Sequence, residues 1–223
     1  MDPVLATVAV IDDDSRELQQ IVDMLNLFAE DSGLQIIFTP YSPQTNEQLE
    51  NILSNIANGT TTTSIIIDQK LGDTSSISFT GTEITDRLRI ARPFLPIYLL
   101  TKYIKDSEVT SNASLLEETL DKSTISDNLH IYLPRIARAS MRYAMHMREQ
   151  AERLREIIEI SYLRELSDSE KEELGILRSQ AFLSRIGEII INQPEKIDFS
   201  PIEETNRLLN NIIGKLNNED HEK

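Results

Sequence analysis

Short apolar segments alternate with helical patterns along the first half of the chain, and this alternation limits the fold more than any other feature. The apolar segments span residues 4–11, 34–39, 64–68, 95–101 and 118–123. The middle ones, such as SIIID at 64–68, are almost continuously apolar, which is typical of strands buried on both faces of a parallel sheet. Five such repeats predict an α/β fold with a five-stranded doubly wound parallel sheet and helices on both of its faces.

The segments between the strands place apolar side chains at intervals of three and four residues, which predicts amphipathic helices. These helices are expected over 15–30, 42–59 and 81–91 and near 105–116. At the start of the second one, Ser42 is the expected N-cap. Pro43 is expected at the first helical position, where its missing N–H has no partner to lose.

Composition restricts the classes of function. The chain has a formal net charge of −15 and no cysteine, so disulfides, thiolate chemistry and cysteine-type zinc sites are excluded. The acidic balance disfavours nucleic acid as a partner. The first residues lack the basic region of a signal peptide, and no stretch reaches the ~20 apolar residues of a membrane helix. We therefore expect a cytoplasmic protein that does not contact a membrane.

Residues 127–223 show helical spacing alone. A long amphipathic helix is expected over 127–164, followed by helices over 168–191 and 201–217. Ser167 and Glu170 form a capping box at the start of the first of these shorter helices. We predict a first domain over 1–126 and an all-helical module over 127–223. The apolar face of 127–164 is a candidate homodimer interface.

Polar side chains suited to phosphate chemistry follow the predicted strands. Asp12 and Asp13 follow the first strand, Asp68 ends the third, Thr101 ends the fourth and Lys122 ends the fifth. In a parallel sheet these ends meet at one edge, where ligands bind. Three carboxylates in one crevice raise each other's cost of ionisation, and Mg²⁺, which prefers oxygen ligands, relieves that cost. The neighbouring Asp14 is instead expected to start the first helix.

The sequence resembles, on these motifs, the receiver domain of two-component response regulators over about residues 5–140. VAVIDDD resembles the family's apolar strand that ends in an acidic pair, and SIIIDQKLG resembles its phosphoacceptor strand. LPIYLLT resembles the strand that ends in the switch Ser/Thr, and LDKS resembles the strand that carries its lysine. The resemblance implies a flavodoxin-like receiver fold and a phosphoacceptor protein rather than an enzyme.

The resemblance also implies roles for single residues in phosphorylation. Asp68 would accept the phosphoryl group from a histidine kinase or a phosphotransfer protein. Lys122 would pair with that group, and Thr101 would turn inward to bond it. The response would reach a downstream protein partner through the helical module.

The same resemblance implies a Mg²⁺ site. Asp13 and the phosphoacceptor Asp68 would bind the ion directly, and Asp12 would bind it through water. The backbone carbonyl of Lys70 would complete the ligands that the protein supplies.

Three residues depart from the family pattern and leave a second hypothesis open. Lys102 stands where a small residue is usual, Thr119 where an aromatic residue is common, and Ser123 where a proline is usual. The loop after Asp68 is also longer than the family's turn. The chain would then be a receiver-like adaptor that acts without phosphorylation.

A third hypothesis rests on a basic stripe in the long helix. Arg135, Arg138 and Arg142 recur at helical spacing, so they would lie on one side of the helix. Such a stripe can contact a phosphate backbone, as in a DNA-binding transcription regulator. The acidic charge of the chain makes nucleic acid the less favoured partner.

Overall fold

A computed structural model describes residues 5–59, 61–111 and 113–177. Their strands are β1 (Ala6–Ile11), β2 (Ile36–Tyr41), β3 (Ser64–Asp68), β4 (Ile97–Thr101) and β5 (Glu118–Asp121). They form one sheet in the order β2-β1-β3-β4-β5, and each neighbouring pair is parallel. This is the flavodoxin-like strand order of doubly wound sheets. It confirms the predicted fold class.

The first five α-helices of the described residues are α1 (Ser15–Asp31), α2 (Asn46–Asn58), α3 (Gly81–Ala91), α4 (Ser107–Ser111) and α5 (Leu129–Leu163). The start of α1 agrees with the sequence. Asp14 is its N-cap, and the Asp14 side chain accepts hydrogen bonds from the amides of Arg16 and Glu17. An N-cap aspartate satisfies amides that have no partner inside the helix.

The start of α2 differs from the expectation. Thr45, not Ser42, is the N-cap, and its hydroxyl accepts a hydrogen bond from the amide of Gln48 at 3.2 Å. The Ser42 hydroxyl instead donates to the carbonyl of Asp13 at 3.3 Å. A contact between distant parts of the chain has therefore overridden a local capping preference.

The connection between β4 and β5 contains less helix than its pattern predicts. The expected helix near 105–116 is reduced to α4 and a 3₁₀ turn at Ala113–Leu115. The Thr110 hydroxyl donates to the carbonyl of Asp106 at 3.1 Å. Serine, threonine and asparagine form such local bonds readily, and the competition lowers their helix propensity.

Helices cover both faces of the sheet and form two cores. On one face α1 and the first half of α5 pack over sheet residues such as Val10, with Leu25 of α1 and Leu133 of α5 fully buried. On the other face α2 and α3 pack over Ile67, with Leu53 and Leu88 fully buried. Burying one such side chain contributes about 1.5–3 kcal/mol. The two cores therefore fix the strand directions, and with them the edge at which the strand ends meet.

Polar contacts hold the first half of α5 on the sheet. The hydroxyls of Ser140 and Ser64 lie 2.7 Å apart and are fully buried. The Tyr143 hydroxyl accepts a hydrogen bond of 2.8 Å from Nε of the buried Arg92. Another nitrogen of Arg92 donates to the carbonyl of Gly59, just beyond α2. Arg92 therefore joins the end of α2 to α5 through buried hydrogen bonds.

After α5 the chain turns into a further helical segment, residues 168–177. The predicted capping box is confirmed. The Ser167 amide donates to the Glu170 carboxylate at 2.8 Å, and the Glu170 amide donates to the Ser167 hydroxyl at 3.4 Å. Arg164 binds both oxygens of Glu170, and Arg153 binds both oxygens of Glu173. These bidentate pairs tie the second helical segment to α5.

The described residues all belong to one compact unit of the chain. The predicted helix 168–191 lies partly outside the described residues, and the predicted helix 201–217 lies entirely outside them. The division predicted between residues 126 and 127 stays a prediction. Among the described residues, no helix has the length and apolar character required to cross a membrane.

Candidate functional site

The C-terminal ends of the central strands converge on a pocket of about 230 Å³. The strand order reverses between β1 and β3, and ligands of such sheets bind in the crevice at this reversal. Asp12 and Asp13 follow β1, and Asp68 ends β3. All three side chains are buried. The structure therefore brings the three sequence-predicted carboxylates together.

Carboxylate side chains outnumber lysines in the lining of this pocket. The carboxylates belong to Asp12, Asp13, Asp14, Glu17, Asp68 and Asp73. The ammonium groups belong to Lys70, Lys102 and Lys122, and Thr74, Thr101 and Tyr103 complete the lining. The excess of negative charge favours the binding of a cation.

Lys122 lies at the centre of these charges, with a side chain that is only 6% exposed. Its Nζ lies 2.7 Å from Oδ2 of Asp12 and 2.9 Å from Oδ1 of Asp68. A third carboxylate oxygen, Oε2 of Glu17, lies 3.0 Å from the same nitrogen. One buried ammonium group therefore bridges the acidic end of β1 and the acidic end of β3.

Burial and Lys122 act in opposite directions on the two buried carboxylates. Burial raises the pKa of Asp12 to about 6, although the hydrogen bond from Lys122 offsets part of this effect. Burial also raises the pKa of Asp68, again against the hydrogen bond from Lys122. For Lys122, burial favours the neutral form, but its bonds to Asp12 and Asp68 outweigh burial and raise its pKa above the usual range. Lys122 therefore remains charged.

Asp13 is held by the loop between β3 and α3. Its Oδ2 accepts hydrogen bonds from the amide of Gly72 at 3.1 Å and from the amide and hydroxyl of Thr74, both at 2.9 Å. Burial favours protonation of Asp13, but the bonds from Thr74 and Gly72 outweigh it and hold the pKa below the usual range. Asp13 is therefore an ionised anchor for the loop.

Glycine allows the backbone to approach the site at two positions. Gly72 has a φ of +110°, and a Cβ there would clash with the carbonyl oxygen of Ile77. At Gly81, the first residue of α3, a Cβ would lie 2.6 Å from the carbonyl oxygen of Asp68. Only glycine avoids these contacts. Gly81 therefore lets α3 start directly behind the acidic end of β3.

Thr101 and Lys70 also lie at the pocket. Thr101 is buried at the end of β4, and its hydroxyl oxygen accepts a hydrogen bond from the amide of Tyr103 at 2.9 Å. Because the hydroxyl acts there as an acceptor, it can still donate its proton. The Lys70 amide donates to Oδ2 of Asp68 at 2.8 Å, and the Lys70 Nζ lies 3.9 Å from the centre of the Tyr103 ring.

Glu17 belongs to the site although sequence reasoning missed it. It lies in the first turn of α1, and its Oε1 contacts Nζ of Lys102 at 3.0 Å. Burial favours protonation of Glu17, but hydrogen bonds from Lys122 and Lys102 outweigh it and lower its pKa. The available signal was its position as the third residue of the predicted helix 15–30, four residues after Asp13.

The donor set fits Mg²⁺ in its chemistry, because Asp12, Asp13, Asp68 and the Lys70 carbonyl supply only oxygen ligands. Among residues 5–59, 61–111 and 113–177, however, no group of three acidic, histidine or cysteine side chains is arranged to hold a metal ion. Lys122 contacts Asp12 at 2.7 Å, and the loop donates hydrogen bonds to Asp13. The metal site therefore stays a prediction. It requires Asp13 to bind the ion in place of the loop, and Asp12 to bind a water of the ion in place of Lys122.

A local hydrogen bond holds the turn after β5. The amide of Ser123 donates to Oδ1 of Asp121 at 2.8 Å. A proline at this position has no N–H and could not form that bond.

A carboxylate neutralises part of the basic stripe of α5. Of its three arginines, Arg135 contacts Glu118 at 2.8 Å. An arginine paired in this way attracts a phosphate backbone less strongly. This contact weakens the DNA-binding hypothesis.

Many of the solved structures similar to this chain are response regulator receiver domains. A response regulator receiver domain protein from Clostridium thermocellum is 19% identical, with a TM-score of 0.46, over 65% of this chain and 98% of that chain. A CheY-like receiver domain protein from Methanospirillum hungatei JF-1 is 16% identical, with a TM-score of 0.46, over 62% of this chain and 98% of that chain.

A response regulator protein from Thermotoga maritima, solved in complex with Mg(2+)-BeF, is 19% identical, with a TM-score of 0.42, over 58% of this chain and 97% of that chain. No family model matches the chain, and no curated protein matches it. The fold assignment rests on the chain's own strand order. Many of the solved structures that it resembles are receiver domains, and they match its N-terminal part.

Proposed function

We propose that this protein is a phosphoacceptor of the response-regulator kind, in which Asp68 receives a phosphoryl group. The observation that carries the proposal is the contact of 2.9 Å between Asp68 and the buried ammonium group of Lys122. It lies at the reversal point of the sheet, where ligands of this fold bind. A fixed positive charge beside the attacking carboxylate stabilises the charge that develops during phosphoryl transfer.

The proposed donor is a phosphorylated histidine of a kinase or a phosphotransfer protein. A carboxylate oxygen of Asp68 attacks the phosphorus atom and forms a P–O bond. The P–N bond to the donor breaks, and its electron pair returns to the imidazole nitrogen. Lys122 pairs with one oxygen of the transferred group, and Thr101 donates its hydroxyl to another. A carboxylate nucleophile needs no general base for this step.

Mg²⁺, when bound, would supply further positive charge to the phosphoryl oxygens. Asp12, Asp13, Asp68 and the carbonyl of Lys70 are the residues proposed to hold it. The excess of carboxylates over lysines in the pocket supports this assignment.

The helical region is proposed to bind a downstream protein partner or a second copy of the chain. At the C-terminal end of α5, Tyr162 is 84% exposed and Leu163 is 86% exposed. Neighbouring large apolar side chains that face solvent are typical of a protein contact. Homodimerisation through residues 127–164 is one form of this proposal.

Mass spectrometry of the intact protein tests the phosphoacceptor assignment. After incubation with acetyl phosphate and Mg²⁺, the wild type should gain one phosphoryl group. Asp68→Asn should gain none, whereas Asp23→Asn, a matched change at an exposed residue of α1, should behave as the wild type. A gain of one phosphoryl group in Asp68→Asn would refute the assignment of Asp68 as the phosphoacceptor. A wild type that accepts no phosphoryl group from acetyl phosphate or from a phosphorylated phosphotransfer protein would refute the proposed function.

A receiver-like adaptor that acts without phosphorylation is the second candidate. It is favoured by the engagement of Asp13 with Gly72 and Thr74, because those bonds leave the metal site unassembled. Partner binding would then be equal in the wild type and in Asp68→Asn, with or without phosphodonor. A change of partner affinity on phosphorylation would exclude this candidate.

A further inference from the structure

Glu17 links the buried lysine of the site to a lysine at its mouth. Its Oε2 contacts Nζ of Lys122, and its Oε1 contacts Nζ of Lys102, each at 3.0 Å. The side chain of Lys122 is 6% exposed, whereas that of Lys102 is 52% exposed. A line of alternating charges therefore runs from Asp68 through Lys122 and Glu17 to Lys102 at the surface.

We propose that Lys102 is a second cation for the phosphoryl group on Asp68, and that Glu17 holds Lys102 away from it in the unmodified site. The inference rests on the proposed phosphoacceptor function. Lys102 directly follows Thr101 and lines the same pocket as Asp68.

The charge change on phosphorylation supplies the driving force. Phosphorylation replaces the single charge of the Asp68 carboxylate with about −1.5 to −2 charges on the phosphoryl oxygens, and Lys122 turns toward these oxygens and away from Glu17. Glu17 then faces an anion, and the two repel each other. With 33% of its side chain exposed, Glu17 can turn to solvent. Lys102 has a flexible four-carbon stem and moves to the more strongly charged phosphoryl group.

The movement would alter the surface beside the site. Lys102 and Tyr103 also line a neighbouring groove, together with residues 104–106 and Asp121. When Lys102 turns into the acidic pocket, this groove loses one of its positive charges. The proposed movement therefore couples the state of Asp68 to the connection that follows β4.

Lys105 provides a matched control. It is an exposed lysine of the same connection, and it lines the neighbouring groove but not the pocket of Asp68. Lys105→Ala removes the same charge and the same stem as Lys102→Ala. Lys102→Arg keeps the charge and should keep the effect.

Titration of the Mg²⁺-saturated protein with beryllofluoride, a phosphoryl mimic, tests the proposal by calorimetry. Lys102→Ala should bind about fivefold more weakly than the wild type, the effect of one partly solvated charge a few ångströms away, and Lys105→Ala should be unchanged. Glu17→Gln should bind about fivefold more tightly, because it releases Lys102 and removes a negative charge. In the double variant Glu17→Gln/Lys102→Ala, most of this gain should disappear.

The outcomes separate this inference from the function on which it rests. If the wild type binds beryllofluoride and is phosphorylated, but Lys102→Ala equals Lys105→Ala, the role of Lys102 is wrong and the phosphoacceptor function stands. If Glu17→Gln raises the affinity for beryllofluoride as much in the Lys102→Ala background as in the wild-type background, the proposed role of Glu17 is wrong. A wild type that neither binds beryllofluoride nor accepts a phosphoryl group overturns both.

Discussion

Replacing Lys122 with alanine is the perturbation whose consequences the structure defines most fully. The substitution removes an ammonium group that lies within 3.0 Å of three carboxylates, on Asp12, Asp68 and Glu17. The side chains of Asp12 and Asp68 are 2% and 9% exposed, so water replaces little of the lost interaction. Breaking a buried ion pair by deleting one partner costs about 3–5 kcal/mol.

Proton uptake limits the cost for Lys122→Ala. Burial already raises the pKa of Asp12 to about 6 while Lys122 is present, and the variant loses the hydrogen bond that offsets this rise. Each pKa unit corresponds to about 1.4 kcal/mol. In the variant, protonation of Asp12 near neutral pH therefore costs less free energy than keeping both Asp12 and Asp68 charged in a buried site. We therefore expect the free energy of unfolding to fall by about 3 kcal/mol at neutral pH, the low end of that range.

The pH dependence of this penalty follows from the direction of the pKa shifts. In the variant, folded Asp12 and Asp68 bind protons at a pH where the same residues of the unfolded chain, with a pKa of about 3.9, have released them. Stability contributed by a raised carboxyl pKa is present at low pH and is lost as the pH rises through that pKa. The penalty should therefore be at least about 1 kcal/mol smaller near pH 5.5 than near pH 8.

Urea unfolding in Mg²⁺-free buffer, followed by far-UV circular dichroism because the chain has no tryptophan, measures this penalty. Lys105→Ala, at an exposed lysine, should stay within about 0.5 kcal/mol of the wild type at both pH values. A loss of less than about 1 kcal/mol for Lys122→Ala, or a penalty that grows toward low pH, would refute the role of Lys122 as a bridge between buried carboxylates.

Two other substitutions test the framework around the site. Tyr143→Phe removes the hydroxyl that accepts a hydrogen bond from Arg92, and it should lower the free energy of unfolding in urea by about 1–3 kcal/mol. Tyr162→Phe, at a residue that is 84% exposed, should leave this free energy unchanged. Equal effects of the two substitutions would contradict the buried hydrogen bond. Gly81→Ala brings a Cβ to within 2.6 Å of the carbonyl oxygen of Asp68. It should therefore lower the free energy of unfolding by about 1–3 kcal/mol and shift the amide resonance of Asp68. If both the resonance and the stability stay unchanged, the close approach is contradicted.

The convergence of the site could be predicted from the sequence because it follows from the geometry of the sheet. Once Asp12, Asp68 and Lys122 each lie at the end of a parallel strand, the strand order brings their backbones to one edge. The apolar runs predict the strands without knowledge of distant contacts. The N-cap at Asp14 and the capping box at Ser167 are local patterns as well.

The partners within the site could not be predicted, because they depend on contacts between distant segments. Asp13 is bonded by Thr74, which lies 61 residues away, through a loop that has no regular pattern. Glu17 reaches two lysines only because α1 is packed with its first turn over the pocket. A hydrogen bond between distant segments also joins the Ser42 hydroxyl to the carbonyl of Asp13, and Thr45 is the N-cap of α2 instead of Ser42.

Identifying the residue that carries the phosphoryl group tests most directly whether Asp68 is the phosphoacceptor. The wild type is incubated with a phosphorylated phosphotransfer protein and Mg²⁺, the acyl phosphate is reduced with borohydride, and the digested peptides are sequenced by mass spectrometry. We predict homoserine at position 68 in the sample that received Mg²⁺ and none in a sample treated with a chelator. Reduction at another aspartate, or equal modification with and without Mg²⁺, would contradict the account.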